Sequence, residues 1–323
     1  MADSQPISIA ILGDSDSHSF RDEYDNKARG GDFHHVTYNW PALWDKFRSN
    51  EVNLGKFDAW GIHYRIARVL YWLDIETRSP KKLDFEYNYA VSGLRCKSLL
   101  RDWPFQAQWM EDRLKRYPEQ WQNGVVVIRI GVNDLGQNKT MDQWAQNGFN
   151  ETAQTTVNAC VEDIITAAET LMAAHPQVRI ALVGVCRNYN IGKTQELWPD
   201  NLNHLKNINS VLTEFDNGLA KFANQHDRVA FVDDVNWFTN KFGDRVTNSL
   251  KNQTHLTNGF MVNNSNGNHP SHLILKDGHA GTIYNGWWLN DLIHSLNQAF
   301  QLKLTPLTDD EIYSVIEPAI KSN

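Results

Sequence analysis

Ile7-Ser8-Ile9-Ala10-Ile11-Leu12-Gly13-Asp14-Ser15 is the stretch on which the fold turns. A short, nearly unbroken apolar run leaves no polar face for water. It reads as an inner strand of a parallel sheet, buried on both sides. Gly13-Asp14-Ser15 then closes the strand and opens a loop. Three further runs share this form: residues 125–130 (VVVIRI), closed by Gly131; residues 178–185 (VRIALVGV); and residues 229–232, closed by Asp233-Asp234. A fifth strand is read at residues 85–91, which alternate more and end in Ser92-Gly93.

Helical patterns fill the gaps. Residues 40–48 open with Pro41 at a first-turn position. Residues 64–73, 105–116, 157–174, 202–225 and 282–300 carry apolar side chains at helical spacing. Strands alternating with helices imply a three-layer α/β/α sandwich around a central parallel sheet of about five strands. With no internal repeat and no Pro/Gly/Ser linker, residues 1–323 are expected to form a single domain. Two stretches exceed ordinary connections and read as insertions, 16–82 and the Asn- and Thr-rich 236–274. Long loops on an α/β scaffold often shape its substrate site.

Composition narrows the function classes. The net charge is -7 and no basic block stands out, which argues against a nucleic-acid partner. No run of 18 apolar residues exists to span a membrane. The start of the chain lacks a basic region followed by an apolar one, so no signal peptide is expected here. That leaves a cytoplasmic protein or a secreted one with its leader removed. Cys96, Cys160 and Cys186 are odd in number and widely spaced, which suggests neither a disulfide framework nor a zinc site. The pairs His34-His35 and His269/His272 lack further ligands at useful spacing. There is no phosphate loop, and no metal or other cofactor is expected.

Ligands of open parallel sheets bind at the carboxyl ends of the strands. Four residues stand at or near such ends. Ser15 follows the first strand, Gly93 the alternating one, and Asn133 the VVVIRI strand in Gly131-Val132-Asn133-Asp134. His279 precedes the last helix in Asp277-Gly278-His279-Ala280-Gly281-Thr282. A serine hydroxyl becomes a useful nucleophile when a neighbouring base takes its proton, and histidine suits that task. An amide donor and a glycine that allows close backbone approach suit an oxyanion.

In this order, Ser, Gly, Asn, His, the sequence resembles the SGNH/GDSL hydrolase family, whose fold is flavodoxin-like. The resemblance implies Ser15 as nucleophile and His279 as general base. It implies an oxyanion hole from the backbone N–H groups of Ser15 and Gly93 and the side-chain amide of Asn133. The family places an aspartate three residues before the histidine. Lys276 stands there in this chain, and Asp277 is two residues before. Asp277 is the candidate orienting carboxylate, with Asp233, Asp234 or a Ser–His dyad as alternatives. Gly55 rivals Gly93, and His269, His272 and His18 rival His279. Asp14 and Asp134 read as loop-holding groups, and Arg187 and Asn188 as candidate rim contacts for substrate.

The reaction implied is hydrolysis of a carboxylic ester through an acyl-enzyme on Ser15. The substrate reading leans to short acyl groups, an O-acetyl ester of a carbohydrate among them: the chain has 12 tryptophans, whose faces can stack on sugars although many, such as Trp287 and Trp288, read as core, and no long apolar lid helix argues for a lipase. The alternatives are a binding protein that kept the fold and lost turnover, or an acyltransferase using the same site.

Overall fold

In the computed structural model, which describes residues 5–24, 27–73, 75, 78–199 and 201–321, the opening apolar run is strand β1 (Ile7–Gly13). Residues 1–4, on which the expectation of no signal peptide bears, and positions 25, 26, 74, 76 and 77 of the first insertion lie outside the described residues. Helix α1 (Trp40–Arg48) starts where Asn39 Oδ1 accepts the Ala42 N–H at 3.4 Å, with Pro41 in its first turn. There follow β2 (Val52–Asn53), β3 (Phe57–Trp60), α2 (Tyr64–Trp72) and β4 (Lys82–Phe85). The middle of the chain runs through α3 (Gln106–Arg116), β5 (Val125–Arg129), α4 (Val132–Leu135), α5 (Asn138–Asn147), α6 (Glu151–Ala174), β6 (Arg179–Val183), α7 (Leu202–Ala223) and β7 (Val229–Val232). The remainder holds α8 (Asn236–Phe242), β8 (Gln253–His255), β9 (Met261–Asn266), β10 (His272–Ile274), α9 (Thr282–Phe300) and α10 (Asp309–Lys321).

Five of these strands form the central sheet in the order β2-β1-β5-β6-β7, with every pairing parallel. Successive side chains of β1 point to opposite faces, and the core divides accordingly. Ile9 and Ile11 pack with Trp40 of α1, Phe238 of α8, Leu292 of α9 and Ile312 of α10. Ala10 and Leu12 pack with Met110 of α3, Trp144 of α5, Ile164 of α6 and Leu212 of α7. Each such Leu or Ile, buried whole, contributes about 1.5–3 kcal/mol. This is the expected three-layer sandwich. After β1 the chain first adds β2 on one side, then crosses to β5 on the other. The connections leave β1 and β5 in opposite directions, and a crevice opens above their carboxyl ends.

Three expectations need correction. First, the fifth strand is Val52–Asn53, not residues 85–91. β4 pairs antiparallel with β3 in a separate two-stranded sheet. A turn then closes from the Asn88 N–H to the Phe85 carbonyl at 3.0 Å and breaks the strand. Residues 87–91 still run beside the far half of β1: the Tyr89 N–H donates to Ile11 O at 2.7 Å and the Val91 N–H to Gly13 O at 3.2 Å. β2 covers only Ile7 and Ser8, so the edge of β1 is shared between two segments.

Second, stretch 236–274, read only as a long insertion, holds regular elements. It contains α8 and a three-stranded sheet in the order β10-β9-β8. Its strands are short and polar, so alternation could not reveal them. Third, Cys96 and Cys160 form a disulfide with a Cα–Cα distance of 5.1 Å. Cys96 opens a short turn (Cys96–Leu99) that packs on α6, which carries Cys160. Spacing along the chain says nothing of that approach. Among the described residues, no helix is long and apolar enough to cross a membrane.

Candidate active site

β1 ends where two backbones meet. A Cβ on Gly13 would lie 2.4 Å from the Arg129 carbonyl oxygen, so the position admits only glycine. Gln106 clamps this glycine, its Oε1 accepting the Gly13 N–H at 2.7 Å and its Nε2 donating to Gly13 O at 2.8 Å. The chain then turns on Asp14. The Asp14 carbonyl accepts the Ser17 and His18 N–H groups at 3.2 and 3.0 Å, and its Oδ1 accepts the Asp16 N–H at 3.1 Å. Burial, then the nearby Asp16 charge, pushes the Asp14 carboxyl well above the usual range. Asp14 is thus a loop-holding group, as expected. Asp134 is another, its Oδ2 accepting the Cys96 N–H at 3.0 Å. No regular helix follows Ser15, so its hydroxyl caps nothing.

Ser15, Asn133, Asn188, Asp277 and His279 line one cavity of about 480 Å³ at the carboxyl ends of β1 and β5. Among the described residues, neither the Ser15 hydroxyl nor His279 Nε2 is engaged in a hydrogen bond. His279 sits in the connection from β10 to α9. That loop is closed by Leu275 N–H to His279 O at 2.7 Å and bends at Gly278, whose φ is +92°.

The carboxylate beside His279 is Asp277, with Oδ1 3.3 Å from the ring Nδ1. The same Oδ1 accepts the His279 backbone N–H at 3.2 Å. Asp233 and Asp234 are occupied elsewhere. Asp233 accepts the Val235 N–H at 2.8 Å at the start of α8, and Asp234 meets Arg129 at 3.2 Å and Trp237 Nε1 at 3.0 Å. The rival histidines are also tied: His269 to Ser271, His272 to Ser265, and buried His18 to Ser92 and Asp22.

Arg29 joins Asp277 and His279 although no motif in the sequence marks it. Its Nη1 lies 2.5 Å from Asp277 Oδ2 and 2.5 Å from His279 Nδ1. Burial raises the Asp277 carboxyl, but the neighbouring His279 and then Arg29 outweigh it. The group is held well below the usual carboxylate range. A guanidinium has donors only. Wherever Arg29 faces Nδ1, the ring proton sits on Nε2.

Asn133 Nδ2 donates to Leu94 O at 2.9 Å, and its Oδ1 accepts from Gln137 at 3.1 Å. One amide N–H of the pair on Nδ2 is left over. Gly93 occupies the turn that ends at Leu94, with φ +78° and open space where a Cβ would stand. Its side of the turn is exposed, and it does not line the cavity itself. The rival Gly55 is packed against Glu86, 2.5 Å from an added Cβ.

Of the two expected rim residues, Asn188 lines the cavity and Arg187 does not. Arg187 turns inward, meeting Asp216 at 2.9 Å, Val185 O at 2.8 Å, Asn209 at 2.9 Å and Thr213 at 3.1 Å. The arginine that does reach the cavity is Arg129, at the end of β5. It is buried, lies 3.8 Å over the Trp288 ring and is paired with Asp234. A lone cation inside the VVVIRI run was its signal, because a buried charge requires a partner.

The model of the GDSL-like lipase/acylhydrolase family matches residues 67–259, more than half of the chain. The chain belongs to this family. It is a carboxylic ester hydrolase of GDSL type. The matched span holds Gly93 and Asn133 and leaves Ser15 and His279 outside it. No curated protein matches this GDSL hydrolase. Among solved structures, a carbohydrate esterase family 3 protein from Talaromyces cellulolyticus is similar at 13% identity and a TM-score of 0.43, over 92% of this chain and 100% of that one. An extracellular lipase from Streptomyces rimosus is similar at 17% identity and a TM-score of 0.40, over 72% and 82%. A family 3 carbohydrate esterase from Clostridium thermocellum is similar at 15% identity and a TM-score of 0.37, over 92% and 98%.

Proposed function

We propose that the chain hydrolyses short-acyl esters of polar alcohols, carbohydrates among them, through an acyl-enzyme on Ser15. The observation that carries this reading is the shared cavity of Ser15, Asn133, Asp277 and His279. In the reaction, Ser15 Oγ attacks the ester carbonyl while His279 Nε2 takes its proton. The negative oxygen that develops is met by the Ser15 N–H and the remaining Asn133 N–H; the family resemblance adds the N–H of Gly93, which lies outside the cavity lining but in the turn that Asn133 ties to it through Leu94 O. The tetrahedral species collapses, His279 returns the proton to the leaving alcohol, and the acyl group stays on Ser15. Water, deprotonated by His279, then releases the acid.

This sequence needs Nε2 unprotonated at the start, so the ring proton must sit on Nδ1 and face Asp277 Oδ1. Arg29 then stays on Asp277 Oδ2 alone and anchors the carboxylate. Supporting a polar alcohol are the amide and hydroxyl side chains on the cavity wall, such as Gln137, Asn138, Thr194 and Asn266. The apolar groups on the wall, Val132, Ile191, Ile274 and Ala280 among them, are outnumbered by polar ones, which suits a short acyl group better than a long chain.

The test is p-nitrophenyl acetate turnover by wild type and Ser15→Ala. Wild type is expected to exceed the variant by at least about 10³-fold. Equal, background-level rates would refute Ser15 as nucleophile. Release of acetate from acetylated sugars, set against p-nitrophenyl esters of growing chain length, tests the substrate half. A preference for long chains would overturn it.

A further inference from the structure

The nucleophile loop and the Gly93 turn are joined by a buried polar cluster that the reaction steps above do not use. His18 stands three residues after Ser15 and is 1% exposed. Its Nδ1 lies 3.0 Å from Ser92 Oγ and accepts the Ser92 backbone N–H at 3.1 Å. Its Nε2 lies 3.0 Å from Asp22 Oδ2. Asp22 is fixed in turn, its Oδ1 accepting the Leu83 N–H at 2.8 Å and the Tyr24 N–H at 3.0 Å.

A backbone N–H can only donate, so Nδ1 must be the acceptor and the proton must sit on Nε2, facing Asp22. Asp22 therefore sets the tautomer with which His18 grips Ser92. The held amide opens a turn: the Leu94 N–H closes on Val91 O at 3.3 Å, and Gly93 takes the positive φ of the third residue of a type II turn. Two more bonds tie the same turn to the site. The Val91 N–H donates to Gly13 O at 3.2 Å, and Leu94 O accepts from Asn133 Nδ2 at 2.9 Å. The turn is thus pinned before Gly93 by the Ser15 loop and after it by Asn133.

We infer that His18, oriented by Asp22, is a positioning residue that sets the Gly93 N–H of the oxyanion hole relative to Ser15 by holding the Ser92 amide. This rests on the hydrolase reading of Ser15 and Gly93. It assigns His18 no contact with substrate. An oxyanion donor acts only at hydrogen-bond distance from the developing charge, and a displacement near 1 Å can cost about 100-fold in rate.

Two amide replacements separate positioning from packing. In His18→Asn the side-chain oxygen falls near the old Nδ1 and still accepts the Ser92 N–H. In His18→Gln the amide falls near the old Nε2, faces Asp22 and leaves the Ser92 N–H without its acceptor. The readouts are the rate at which a fluorophosphonate labels Ser15, kcat and KM for p-nitrophenyl acetate, and Tm.

His18→Gln is expected to lower labelling and kcat by about 10- to 100-fold with KM little changed. His18→Asn is expected to stay within about threefold of wild type. Equal behaviour of the two variants, whether at wild-type rate or reduced together with Tm, would overturn the inference. If His18→Gln does not fold, Ser92→Pro against Ser92→Ala makes the same comparison. Proline suits the second position of the turn but removes the held N–H, whereas alanine keeps it. Loss in Pro alone supports the inference, and equal rates overturn it. If wild-type Ser15 is not labelled at all, the hydrolase reading itself falls and takes this inference with it.

Discussion

His279 is flanked on its Nδ1 side by a carboxylate and a guanidinium that want opposite tautomers. Asp277 needs the proton on Nδ1, and Arg29 needs it off. Asp277→Asn removes the negative charge and puts an N–H donor in place of one oxygen, which with Arg29 favours the ring whose proton is on Nε2. It is expected to lower kcat by about 10²- to 10⁴-fold with KM little changed, read from p-nitrophenyl acetate kinetics. A loss under about threefold would move the orienting role away from Asp277. The meeting of Ser15, Asn133 and His279 in one cavity is legible in the sequence because each stands beside a boundary that periodicity can mark. Arg29 is not, since it lies in an aperiodic loop about 250 residues from its partners and only folding joins them. Arg187 misled for the opposite reason. Its place just past β6 suggests the rim, but side-chain direction is set by the buried Asp216.

Among the elements, the strands with unbroken apolar runs were readable because burial on both faces leaves no other arrangement. β2 was not, because two residues carry no period and its partner β1 does the work of register. Helix α10 is marked in the sequence by its cap: Thr308 and Glu311 form a reciprocal capping box, with Glu311 N–H to Thr308 Oγ1 at 3.1 Å and Thr308 N–H to Glu311 Oε2 at 2.8 Å. Helix α2 formed where its pattern placed it, yet Ile66, Val69 and Leu73 of that pattern are exposed. The Cys96–Cys160 link ties the segment after Gly93 to α6 across 64 residues of chain. Reduction, or Cys160→Ser, is expected to cost about 2–4 kcal/mol and lower Tm by about 5 °C. A Tm that neither treatment moves would show that the link adds nothing to stability.

At the scale of the whole molecule, α9 lays acidic Asp291 near Asp234 and Asp233 of the β7 end. Partial burial, with those two charges adding, pushes its carboxyl up to about 7. The folded state then holds a proton that the unfolded chain releases near pH 4. Stability contributed by this site is present below about pH 4 and is lost as pH rises towards 7. Asp291→Asn should therefore raise Tm at pH 8 by about 2–4 °C, a figure reduced for the group's partial exposure, with the gain fading as pH falls to 4. Equal gains at pH 8 and pH 4 would mean that charge is not the cause.

The crevice between β1 and β5 also imposes an order in time. Ser15 leaves the ribosome early, and His279 follows about 260 residues later. At ordinary translation rates that interval is about 15–50 s. Through it the nascent chain carries a hydroxyl with no base. The face of the sheet that α9 will cover also stays open, because Leu289, Leu292 and Leu296 have yet to be made. Synthesis stalled before α9 would yield a chain with neither ester-cleaving power nor a closed core. On the proposed roles of Ser15 and His279, competence and a closed core would both await the making of the last sixth of the chain.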